Sequence, residues 1–174
     1  MAYELPRFCA DARAALKQGP LRAALDKIEA DLSTLLKNEA FVHSAFKDGD
    51  PAGKTELYHD PETDFYVYAH VQAAGKTGAP HSHGASWAVY GNAAGCTEMT
   101  EYKRVNPEGE DEVVLKKSDF YKLNPADTRG YGPGVIHSTG HPLKAWVVRV
   151  TGTDLDQLPR YHFKRSRDKV LEGA

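Results

Sequence analysis

Two histidines separated by one residue, His81 and His83 in the run PHSHG, open the chemistry of this 174-residue chain. Residues two apart on a strand project to the same face, so both imidazoles can reach one point. Neutral imidazole is a common metal ligand, and it suits Fe, Ni, Cu and Zn alike. A third candidate is His137, in the downstream run GYGPGVIHSTGH. His43, His59 and His162 carry no comparable spacing. The two cysteines, Cys9 and Cys96, form no CxxC pair and read as reduced thiols, with Cys96 expected in a buried strand.

The spacing extends beyond the histidines. Gly75 is followed by five residues, His81-x-His83 and then eleven residues to Gly95, while Gly134 precedes His137 by three positions. This pattern resembles the cupin superfamily, whose first motif is G-x5-H-x-H-x(3,4)-E-x6-G and whose second is G-x5-P-x-G-x2-H-x3-N. Gly75, His81, His83, Gly95, Gly134 and His137 match; Ala88 stands at the Glu position, Pro133 falls one residue late, and His141 stands where the Asn would be. The resemblance covers roughly residues 65 to 150. It implies an all-β core, a cupin-type double-stranded β-helix (jelly roll) with an N-terminal α-helical extension, and a metal held by His81, His83 and His137.

Three neutral imidazoles leave the remaining coordination positions to water, dioxygen or substrate, and the ion keeps its full charge, which favours an anionic chelating substrate. A three-histidine cupin preceded by helices is similar to the cysteine-dioxygenase-like branch, whose members use Fe(II) and O2 to oxygenate small thiols. The implied cofactor is therefore Fe(II), with Zn, Ni or Mn as alternatives and O2 as co-substrate. Two features depart from that branch. Its late Ser-His-Tyr series is replaced here by AWVVRV, and no Arg lies between Arg22 and Arg104. The resemblance thus implies the metal and the scaffold and leaves the substrate open. Alternatives from other classes are a non-redox metal- or ligand-binding module (sensor or storage) and a Zn or Ni Lewis-acid enzyme.

A substrate pocket needs further groups. Tyr68, His70 and Gln72 share one strand face and Val67, Ala69 and Val71 the other, so the polar face either lines a cavity or meets solvent. Arg149 interrupts an apolar strand and either reaches inward as an anion anchor or faces outward. Trp87 reads as core, Glu98 as a surface carboxylate, and His141 as a group that tunes the site or simply sits in a turn.

The elements that position these residues follow from periodicity. Leu21, Leu25, Ile28, Leu32 and Leu35 trace one helix face after Pro20; a shorter helix over Asp11–Lys17 precedes it, and another is expected through Phe41–Phe46. The run KDGDPAGK is a turn, after which strands are expected at Asp64–Gln72, Ser86–Tyr90, Thr97–Val105, Glu112–Leu115, Asp119–Leu123 and Ala145–Thr151. This divides the chain into helices over 1–47 packed on the barrel, a barrel over 48–164, and a solvated tail over 165–174. Lys plus Arg is 22 and Asp plus Glu is 24, a balance that does not predict a nucleic-acid partner. No apolar run long enough for a membrane span and no basic leader with an apolar core appear, so the expectation is a cytoplasmic protein with a small-molecule substrate, able to form a homodimer.

Overall fold

The computed structural model describes residues 2–110, 112–158, 161–163 and 169–172. Three helices come first: α1 (Leu5–Gln18), α2 (Leu21–Leu36) and α3 (Glu39–Ala45). Pro6 in the first turn costs α1 no hydrogen bond, and Asn38 caps α3 by accepting from the amides of Ala40 and Phe41. Helix α1 starts six residues earlier than periodicity predicts.

The strands are β1 (Gly53–His59), β2 (Tyr66–Gln72), β3 (Lys76–Thr77), β4 (His81–Ser82), β5 (Ala88–Ala94), β6 (Thr97–Arg104), β7 (Val114–Leu123), β8 (Thr128–Tyr131), β9 (Ile136–His141), β10 (Ala145–Thr151), β11 (Tyr161–His162) and β12 (Lys169–Leu171). One sheet runs β1-β2-β10-β5-β8, the other β11-β4-β9-β6-β7-β12, with β3 also on β9. Within this order β2 pairs with β10, β4 with β9, β5 with β8 and β6 with β7, all antiparallel. First thus pairs with last, second with second-to-last, and so inward: a long hairpin coiled on itself, which is a jelly roll, or double-stranded β-helix.

The predicted strands at Glu112–Leu115 and Asp119–Leu123 are one continuous strand, β7, because β6 pairs with it through Lys116 and Lys117 where the apolar pattern lapses. Cys96 lies half-buried in the β5–β6 turn, not inside a strand. Of the expected tail, Lys169–Leu171 forms the exposed parallel edge strand β12 beside β7. Residues 165–168 and 173–174 fall outside the described residues.

Two buried clusters hold the molecule. In the first, Phe8, Leu25, Ile28, Leu32 and Leu35 of the helices join Val67, Ala69 and Val71 of β2, Val89 of β5, and Val148 and Val150 of β10. The helices therefore share their core with the outer face of the first sheet, and Trp87 belongs to this cluster. The second cluster, Ala88, Tyr90, Met99, Leu123, Tyr131, Ala145 and Val147, comes from the opposite faces of β5 and β10, from the end of β8, and from β6 and β7 of the second sheet. Strands β2, β5 and β10 are buried on both faces, which is why β5 and β10 read as nearly continuous apolar runs. Among the described residues no helix is long and apolar enough to cross a membrane.

Candidate metal centre

His81 and His137 face each other directly in the β4–β9 pair. His83 lies one residue beyond the end of β4, where Gly84 turns the chain with φ 59°. One ring nitrogen from each of the three lies within 4.8 Å of the other two. Ring centroids are separated by 5.3 Å (His81–His83), 4.7 Å (His81–His137) and 4.9 Å (His83–His137).

The backbone fixes which nitrogens are available. Nδ1–H of His81 donates to the carbonyl of Ala79 at 3.0 Å, and Nδ1–H of His137 donates to that of Val135 at 3.3 Å. Each acceptor sits two residues upstream of its ring. With the proton on Nδ1, Nε2 keeps its lone pair for a ligand. His137 is fully buried, and burial, reinforced by His81 and by Arg149, pushes its pKa down to about 3. It is therefore neutral and able to ligate at ordinary pH. Three imidazoles whose ring nitrogens cluster within 4.8 Å of one another fit a divalent first-row metal ion.

A cavity of about 220 Å³ adjoins this cluster, lined by His70, Gln72, His81, Tyr90, Thr139, His141, Val147 and Arg149, with Gly78 and Ala79 at its edge. His70 (9% exposed) and Gln72 reach it from β2, and Arg149 reaches it from β10. Nε of Arg149 is buried and has no hydrogen-bond partner among the described residues. Tyr68 shares the buried face but not the cavity. Its hydroxyl donates to Asp154 at 3.4 Å and its ring lies beneath Lys54. Among the described residues no Asp or Glu lines the cavity, nor the neighbouring groove that carries Lys54 and Lys76 and shares His70, Gln72 and His141. The charged side chains in this lining, Lys54, Lys76 and Arg149, are all cationic.

His141 is 4% exposed, 3.4 Å from the Thr97 hydroxyl, and burial lowers its pKa. Glu98 pairs with Lys122 on the outer face of β6, away from the histidines. Cys9 is buried beneath α1, its thiol pushed up to about 12, so it supplies no reactive thiolate. The residue that motif reading missed is Tyr90. Its hydroxyl lies 3.3 Å from Nε2 of His83 and 3.3 Å from Nε2 of His137.

No family model and no curated protein matches the chain. Solved structures do resemble it. KdgF from Halomonas sp. is 19% identical with a TM-score of 0.47, over 64% of this chain and 91% of that one. The DMSP lyase DddQ from Ruegeria pomeroyi is 16% identical with a TM-score of 0.46, over 65% of this chain and 52% of that one. A cupin superfamily protein from Desulfitobacterium hafniense is 11% identical with a TM-score of 0.44, over 63% and 84% respectively. The strand order, not these likenesses, carries the fold.

Proposed function

We propose that the chain is a mononuclear non-haem iron dioxygenase, similar to the thiol dioxygenases, acting on a small anionic substrate that binds the metal. The observation that carries this reading is a cluster of three imidazoles beside a small cavity that, among the described residues, has no carboxylate in its lining and no hydrogen-bond partner for the Arg149 Nε. Bound Fe(II) would supply the redox chemistry that no side chain can provide.

The protein's own residues do the rest. His81, His83 and His137 would hold the ion, the rings of His81 and His137 being oriented by backbone carbonyls. Arg149 places a donor where an anionic substrate group can accept, and such a charge-assisted bond replaces the water the guanidinium loses on burial. His70 and Gln72 add polar contacts along the β2 wall and orient the substrate. Among the described residues no Asp or Glu lines the walls to compete with the substrate for Arg149.

Anaerobic loading with Fe(II), followed by oxygen-uptake measurements across small thiols, 1,3-dicarbonyls and phenols, tests the proposal. Uptake above background with one class, absent in the Zn(II)-loaded protein, is the expected result. Background uptake throughout, despite stoichiometric iron, would leave a non-redox module or a Lewis-acid enzyme in its place.

A further inference from the structure

We infer that Tyr90 is a fourth metal ligand, its phenolate oxygen taking the place of the carboxylate that the histidine motif lacks. This rests on the metal reading of the three-histidine cluster and adds to it.

The argument begins with strand geometry. Ala88 occupies the motif's Glu position at the first residue of β5, and its methyl group cannot ligate. Tyr90 lies two residues further along the same strand, so its side chain leaves from the same face. Two residues of strand span about 6.6 Å, and a phenol carries its oxygen roughly that far from its own backbone, so it can lean back to a position served from residue 88. The residue is 5% exposed, inside the second buried cluster and not at the surface.

The distances agree with coordination. Ligands bound at about 2.1 Å to one ion, at angles between square and tetrahedral, stand about 3.0–3.4 Å apart. The Tyr90 oxygen is 3.3 Å from both His83 Nε2 and His137 Nε2. Without an ion the hydroxyl can bridge the two rings, donating to one nitrogen and accepting from the other, so the same two contacts place the oxygen beside both candidate ligand atoms. With an ion bound between them, His83 and His137 would give nitrogen lone pairs and Tyr90 its oxygen, the phenol proton passing to solvent.

The neighbouring tyrosine does not compete. Tyr131 stacks on the His137 ring at 4.3 Å between centroids, but its hydroxyl is engaged with that of Tyr121. Arg149, the cross-strand partner of Tyr90, has its guanidinium carbon 5.9 Å from the Tyr90 ring centroid. Three imidazoles and one phenolate would leave a six-coordinate ion two further positions. A substrate bound through one anionic atom, with a second anionic group on Arg149, would still leave room for a co-substrate.

The test is spectroscopic and independent of turnover. The full chain is loaded with Fe(II) anaerobically and oxidised to Fe(III) with ferricyanide. The expected result is a visible phenolate-to-iron charge-transfer band, with phenolate modes enhanced in the resonance Raman spectrum. The Raman modes shift when the protein is grown on ring-deuterated tyrosine. Tyr90→Phe should lose the band while retaining iron on its three histidines, and Tyr131→Phe should keep it. Stoichiometric iron with no such band, or a band unchanged in Tyr90→Phe, overturns the ligand assignment and leaves the three-histidine centre standing. A wild-type chain that takes up no iron overturns both. Should Tyr90→Phe fail to fold, the isotope shift, combined with loss of the band in Tyr90→His, decides the matter.

Discussion

Gly91 of β5 and Leu36 of α2 meet so closely that a Cβ added at Gly91 would lie 2.6 Å from the Leu36 Cδ1 and 2.8 Å from the Leu32 Cδ2. Helix α2 rests directly on the strand that carries Tyr90 at the adjacent position. Gly91→Ala should therefore cost about 1–3 kcal/mol by overpacking and push β5 toward the cavity. Leu36→Ala in the same chain should recover part of that loss, although its own removed volume costs stability. Urea unfolding of the single and double variants checks this. Strictly additive losses would show that the two positions do not share the space.

A second tie joins α1 to the turn between β1 and β2. Asp60 is fully buried and accepts from Arg13, from Thr63 and from the Glu62 amide. Burial raises the Asp60 pKa, but the hydrogen bonds from Arg13 and Thr63 outweigh it and hold the carboxyl well below the usual carboxylate range. Its contribution to stability is then present above the unfolded value near pH 3.9 and is lost as pH falls below it. Asp60→Asn should cost about 3 kcal/mol at neutral pH, because Arg13 loses its buried partner. The loss should shrink in acid, and equal destabilisation at pH 7 and pH 3 would refute the account.

The roles around the cavity separate by what each substitution removes. Alanine at His81, His83 or His137 should lower metal content as read by elemental analysis of the loaded protein. His70→Ala and Arg149→Ala should leave it intact. For an anionic substrate, loss of the Arg149 bond should cost about 2 kcal/mol, roughly thirtyfold in kcat/KM. Lysine at that position should restore only part, since it lacks the planar fork. Metal loss in His70→Ala would show that this residue belongs among the ligands instead.

Some of this was legible in the sequence and some could not be. Leucine spacing in α2 and alternation in β2 identify those elements because each buries one regular face. Strand β4 has two residues between Pro80 and Gly84, too few for any periodicity, and β9 hides in a glycine-rich run. The lapse at Lys116 and Lys117 splits β7 in one dimension, while backbone pairing with β6 makes it whole. His81, His83 and His137 stand out by residue type and spacing. Tyr90 resembles any aromatic strand residue, and what distinguishes it is distance to two rings from β9 and the end of β4. The available signal was its shared face with Ala88, which matters only once the missing carboxylate is taken as a gap to be filled.

His141 offers a last prediction, through protons. It is buried, and its pKa is lowered by that burial. The unfolded chain takes up a proton near pH 6.5, whereas the folded chain does so only at lower pH. Below that point the unfolded state binds more protons, so stability present above about pH 6.5 drains away as pH falls toward the folded value. His137, lowered to about 3, acts in the same direction over a longer interval. Each site contributes a slope of about 1.4 kcal/mol per pH unit within its window. In chelator-treated protein, His141→Asn should therefore be less acid-sensitive between pH 6.5 and the onset of His141 protonation, with the His137 share of the slope remaining. Denaturant unfolding at half-unit pH steps measures this directly. An unchanged slope in the variant would mean that the His141 ring is already charged, or reached by water, in the folded protein.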